Sequence, residues 1–194
     1  MAKDGAPKSL PMPFHTIRRY QYSSFMTLKD VEDVEFYRPG GYHPVDIGDT
    51  IANGNDAYTV LHKLGHGGSS THWLVKLQRP ELSEAHLSFH ALKIFSADAL
   101  GDERADQEMK VLQRLGQVGR ASHPSIPVLE DSFNICGPNG QHRCLVLPFF
   151  GPSVKRARFA HTLTPAQRHH ICQQLASAVT FLHSHGICHG GKAL

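Results

Sequence analysis

A glycine cluster, a lysine inside an apolar strand and an acid on the inward stripe of a helix are the residues here suited to chemistry. The cluster, Leu64-Gly65-His66-Gly67-Gly68-Ser69-Ser70, lies between strand-like segments, Tyr58–Leu61 and Thr71–Leu77. A dinucleotide-binding fingerprint runs strand, turn, helix instead, with an acid about 20 residues further on. The cluster therefore reads as a hairpin tip. Glycines there let backbone N–H groups approach phosphate oxygens without a Cβ in the way, although an ordinary flexible hairpin has the same composition. Lys93 lies in Ala91-Leu92-Lys93-Ile94, and alternation puts Ala91, Lys93 and Phe95 on the face opposite Leu92 and Ile94. Unless that strand is an edge open to water, the ammonium needs an anionic partner or a ligand, because burying an unpaired charge is costly. Glu108 is a candidate partner. At i+3 from Ala105 and i−4 from Leu112 it shares the inward stripe of its helix, whereas Asp106 and Lys110 fall on the solvated side.

The elements that must position these groups follow from periodicity. An acidic stretch breaks at Pro39-Gly40-Gly41, and Asn53-Gly54-Asn55-Asp56 is turn chemistry. Strands are expected at Tyr58–Leu61, Thr71–Leu77 and Leu87–Phe95. Ala105, Met109, Leu112 and Leu115 then form a helical stripe, which Gly116 and Gly119 end. Two further strands, Val128–Ile135 and His142–Phe149, are joined by Gly137-Pro138-Asn139-Gly140 as antiparallel partners. A last long helix opens with Thr164 as N-cap and Pro165 at its first position, carries the stripe Ile171, Leu175, Ala178, Leu182, and stops at Gly186. Three strands, a helix, two strands and then helices make an α+β arrangement, a five-stranded antiparallel sheet with helices gathered after it.

Composition bounds the function. A chain of 194 residues, 40% of them apolar, buries one substantial core, or a small one plus part of a second. A formal charge of +3 excludes a polybasic nucleic-acid binder, although 15 histidines add charge below about pH 6. No run approaches the roughly 18 apolar residues of a membrane span. Four cysteines suggest free thiols, Cys136 and Cys144 included, rather than a disulfide framework. Residues 1–30 read as a flexible tail; Arg18 and Arg19 suit a targeting peptide, but Pro7, Pro11 and Pro13 oppose its amphipathic helix. His183, His185, Cys188 and His189 match no standard zinc spacing, and Lys155-Arg156-Ala157-Arg158 reads as a solvated helix face.

Taken jointly, the motifs resemble a protein kinase. Leu64–Ser70 is similar to the glycine-rich loop, Ala91-Leu92-Lys93 to the strand lysine and Glu108 to the helix-C glutamate. Tyr42-His43-Pro44-Val45-Asp46-Ile47-Gly48-Asp49, with Lys63-Leu64-Gly65 and Ser70-Thr71-His72-Trp73-Leu74, narrows the resemblance to the SR-protein kinases, especially the fungal type. These are serine/threonine kinases that phosphorylate Arg-Ser-rich splicing factors. The resemblance runs from about Val31 to His189. It implies an N-terminal extension at 31–57, a small lobe with helix C at 58–150, and only the first large-lobe helices, D and E, at 151–194.

The resemblance also implies ATP. Leu64, Gly65, Gly67 and Ser70 would cover it, and Lys93, held by Glu108, would contact the α- and β-phosphates. His72, where the family usually has a small apolar residue, and Ala91 would flank the adenine. Leu147 matches the gatekeeper; Pro148 would offer its carbonyl and Phe150 its N–H to the ring. The departure is at His189-Gly190-Gly191-Lys192, where Gly191 stands in place of the catalytic Asp. The magnesium-binding Asn and the Asp-Phe-Gly segment are not among these residues, so no catalytic set is complete and magnesium, expected in the family, lacks its ligands. The expectation is an ATP-binding portion of a serine/threonine kinase, inactive in phosphoryl transfer as the chain stands; the alternative is a non-catalytic, pseudokinase-like interaction module. Expected partners are ATP and an Arg-Ser-rich protein or a protein covering helix E, with no membrane and no direct nucleic acid. The expected location is the cytoplasm, with access to the nucleus.

Overall fold

The computed structural model describes residues 32–79, 88–101, 104–117, 123–151 and 162–188. The expected tail, helix D, the basic patch at 155–158, Leu87 and the segment from His189 onward lie outside these. Six strands form one antiparallel sheet: β1 (Thr50–Asn53), β2 (Asp56–Gly67), β3 (Ser70–Gln78), β4 (Ser88–Phe95), β5 (Asp131–Gly137) and β6 (Gly140–Pro148), in the order β1-β2-β3-β4-β6-β5. The helices are α1 (Asp98–Gly101), α2 (Arg104–Gln117) and α3 (Pro165–Ser184).

The sheet has one strand more than the five expected. The turn at Gly54-Asn55 is the tip of a β1–β2 hairpin, with Asn53 opposite Asp56 and Thr50 opposite Thr59. Only four residues long, β1 is too short to carry a readable alternation. The glycine cluster also differs from a free tip. Gly65, His66 and Gly67 are laddered to His72, Thr71 and Ser70, leaving Gly68 and Ser69 as the turn. The strand expected from Val128 begins at Asp131, although Glu130 N–H already bonds Val146 O at 2.9 Å. Its partner stops at Pro148, whose nitrogen has no hydrogen to continue the ladder, so Phe149 lies beyond it.

Alternation gives the sheet two faces. Leu92 and Ile94 join Val60, Trp73, Val75, Cys144 and Val146 in one buried cluster. The sheet curls until strands at opposite ends of its order meet. Tyr58 of β2 stacks on Phe133 of β5 at 5.6 Å and 12°, and Asn53 Nδ2 donates to Asp131 Oδ2 at 2.8 Å. The other face packs on α2, where Phe95 and Leu145 meet Ala105 and Leu112. Each Å² of apolar surface buried there contributes about 25 cal/mol to holding the helix on the sheet.

Ahead of β1, residues 32–43 form a strap. It holds a short 3-10 turn at Val34–Phe36, capped by the Asp33 carboxylate accepting from Glu35 N–H. At the far end, α3 has the expected start: Thr164 and Gln167 form a reciprocal capping box, with Pro165 as first residue. Of its apolar stripe Ala178 is buried, whereas Leu175 is 64% exposed.

Candidate functional site

On the α2-facing side, one row of the ladder runs Gly65, His72, Lys93 and Leu145 across β2, β3, β4 and β6. The next row is Leu74, Ala91 and Leu147. Register alone therefore brings a hairpin glycine, an imidazole and an ammonium into file, with Ala91 and Leu147 beside them. Lys93 Nζ lies 2.6 Å from each carboxylate oxygen of Glu108 and 4.6 Å from the centre of the Phe95 ring. The lysine side chain is 16% exposed and the glutamate 38%, so the carboxylate is the end that opens to solvent. Two short charge-assisted bonds and a ring face hold an otherwise expensive charge.

His72 is sheltered, and that burial lowers its pKa from 6.5 to about 4, with the Lys93 charge as the second cause. It is a neutral ring at pH 7. Ser70 Oγ lies 3.3 Å from its Nε2, and Ser70 is buried, so this hydroxyl is turned inward rather than toward the open side.

The glycines are open. A Cβ built on Gly65 or Gly68 would meet nothing within 4 Å, and one on Gly67 only Ser70 Oγ at 3.6 Å. None of the three has positive φ. Neither backbone conformation nor internal packing demands glycine at these positions; what the missing Cβ leaves is room for close approach from outside.

Leu64 falls in a register shift between Lys63 and Gly65 and is half-buried. Leu147 packs at the border of the α2-side core. Pro148, opposite His90, ends β6, and Phe150 beyond it is 53% exposed. The cysteines Cys136, Cys144, Cys172 and Cys188 are free thiols, and burial pushes the Cys144 thiol up to about 12.

One contact escapes a sequence reading. Tyr42, from the strap, donates its hydroxyl to Gly67 O at 2.6 Å, at the tip of the hairpin. Lys63 on β2 is held likewise, by Glu32 and by Tyr37 Oη at 3.0 Å, with its ammonium 4.9 Å from the Trp73 ring centre. The nearest signal was the Pro39-Gly40-Gly41 break before Tyr42. A break marks a change of direction and not its destination.

No family model matches the chain. The serine/threonine-protein kinase SKY1 of Saccharomyces cerevisiae is 31% identical over 170 residues, which cover 83% of this chain and 22% of that protein. SRSF protein kinase 3 of Homo sapiens is 39% identical over 130 residues, 63% of this chain and 20% of that one. The serine/threonine-protein kinase SRPK of Physarum polycephalum is 33% identical over 123 residues, 63% and 27%. An antiparallel sheet carrying a lysine paired to a glutamate on the following helix, with these relatives, defines the small lobe of a protein kinase. Within that class the chain is SR-protein-kinase-like, being similar over most of its length to these relatives. It spans between 20% and 27% of the length of these three relatives.

Proposed function

We propose that this chain is the ATP-binding portion of an SR-protein-kinase-like serine/threonine kinase. The observation that carries the reading is the Lys93–Glu108 pair, 2.6 Å at both oxygens, in one ladder row with an unobstructed glycine of the hairpin. An ammonium that gives two of its three donors to the carboxylate at its back has one left for a phosphate oxygen, and the hairpin N–H groups approach from the other side. His72, Ala91 and Leu147 would border the adenine, with the Pro148 carbonyl and the Phe150 N–H at its edge. Among the described residues no group of three or more His, Cys, Asp or Glu side chains is gathered to hold magnesium.

Gly191 has no side chain to accept the proton of a substrate hydroxyl, so this chain by itself binds nucleotide without transferring phosphate. The same glycine supports a second reading, a non-catalytic module that uses the lobe for binding alone. An Arg-Ser-rich protein, met in the cytoplasm or nucleus, is the partner class suggested by the relatives. A protein lying along α3 is another, given exposed Leu175 and Val179. Among the described residues no helix is long and apolar enough to cross a membrane.

Thermal unfolding with and without ATP tests the site. ATP at 100 times its Kd stabilises a one-site binder by about 2.7 kcal/mol, and Lys93→Met is expected to abolish the shift. An unchanged shift in the variant would sink the assignment of Lys93. Phosphate transfer to an Arg-Ser peptide by the pure chain would sink the inactive reading.

A further inference from the structure

The glycine hairpin has few ways to keep its position. A Cβ on Gly65 or Gly68 would meet nothing within 4 Å, and the two turn residues, Gly68 and Ser69, lie outside the ladder. Among the described residues, two hydrogen bonds tie the tip to the rest of the molecule. Ser96 N–H donates to Ser69 O at 2.9 Å, and the Tyr42 hydroxyl donates to Gly67 O at 2.6 Å. The first comes from the end of β4 and is backbone. The second is a side chain on the strap, 3% exposed, from a residue 25 positions away.

Tyr42 is itself held from three directions. Its N–H bonds Phe36 O at 2.8 Å, and its carbonyl accepts from Asn139 Nδ2, in the β5–β6 turn, at 2.6 Å. Its ring lies 5.6 Å from those of Phe36 and Tyr37. Just before it, Gly40 O and Gly41 O accept from Asp98 N–H and Ala97 N–H at 2.7 and 3.1 Å, at the start of α1. Gly40 has φ of +84°, and Asp98 fills the space where its Cβ would stand, so the strap enters this corner by one route. Burial raises the Tyr42 pKa, which keeps the hydroxyl a donor. A rigid corner built from the β5–β6 turn and α1 thus reaches over to the hairpin through one phenol.

We infer that Tyr42 is a positioning residue for the phosphate end of the nucleotide site, and that the 32–43 strap sets the height of the glycine hairpin over Lys93. The inference rests on the nucleotide reading above. A hairpin cut loose on one side costs affinity only where the ligand touches it. The loss therefore falls on phosphates and spares the nucleoside.

The test uses the full chain and Tyr42→Phe, which keeps the ring packing and deletes the hydroxyl. Calorimetry with magnesium-ATP and with adenosine is expected to show ATP weakened about threefold to tenfold, the worth of one hydrogen bond, and adenosine unchanged. Asn139→Ala, which loosens Tyr42 from its far side, is expected to act in the same direction. Amide hydrogen exchange in the nucleotide-free protein is expected to speed up at residues 65–70 and not in β5 or β6. Equal weakening of both ligands means general destabilisation and overturns the inference, as does a variant that binds ATP like the wild type. Unchanged exchange at the hairpin also overturns it. A wild type that binds neither ligand overturns the nucleotide reading and the phosphate role with it, an outcome distinct from failure of the strap alone.

Discussion

Acid should weaken this fold through His72, by an amount the site itself sets. Its folded pKa is about 4 against 6.5 for a free side chain, lowered by burial first and by the Lys93 charge second. Between those values the unfolded chain binds a proton that the folded one refuses. Stability from this group is therefore complete above about pH 6.5 and is lost progressively as the pH falls toward 4. Between pH 7.5 and pH 5.0 the two values give a loss of about 2 kcal/mol. Water on the open side of the site screens part of it, so about 1 to 2 kcal/mol is expected. The assay is urea unfolding at both pH values for wild type and His72→Ala. His43 and His142, also lowered by burial, stay in both proteins, so their contributions cancel in the difference. The wild type should lose about 1 to 2 kcal/mol more than His72→Ala on acidification. Equal losses in the two proteins would refute the account of His72 as a sheltered neutral ring beside a fixed ammonium.

Leu145→Ala empties the fully buried position between Phe95, Ala105 and Leu112, and should cost about 2–5 kcal/mol by urea unfolding. A loss below about 1 kcal/mol would mean that α2 is not seated there. Gly137→Ala drives a Cβ into the His43 ring, whereas Gly151→Ala meets nothing within 4 Å. The first should lower stability by about 1–3 kcal/mol in thermal melts and the second by less than about 0.5; equal effects would remove the His43 contact from the account.

Several parts of the site are local enough to read in the chain. The inward place of Glu108 follows from Ala105 and Leu112 on one helical stripe, and the facing of Lys93 from strand alternation, so their meeting at 2.6 Å needs only that sheet and helix pack. Thr164 and Pro165 mark a helix start because capping is a matter of neighbours. β1 is different. Four residues acquire a strand conformation only because β2 is already there to pair with. The same holds for Tyr42 on Gly67 and for His43 against His142, whose rings lie 4.9 Å apart: each contact joins segments distant in sequence, and no periodicity encodes it. The stripe on α3 shows the converse, since its pattern is helical and yet Leu175 stays exposed among the described residues.

β2 has 12 residues, and β3 takes only one of its sides. The opposite side would be a long row of unpaired N–H and C=O groups, the kind of rim on which a second molecule can add a strand and start a chain of copies. The segment ahead of it closes that rim at intervals. β1 pairs Asp56 to Thr59, Val60 exchanges bonds with Gly48 N–H and Asp49 O at 2.8 Å each, and Tyr42 takes Gly67 O. The stretch from Tyr42 to Asn53 thus acts as a guard against self-templating as well as a scaffold. One run of twelve residues meets β2 both along its edge and at its hairpin tip.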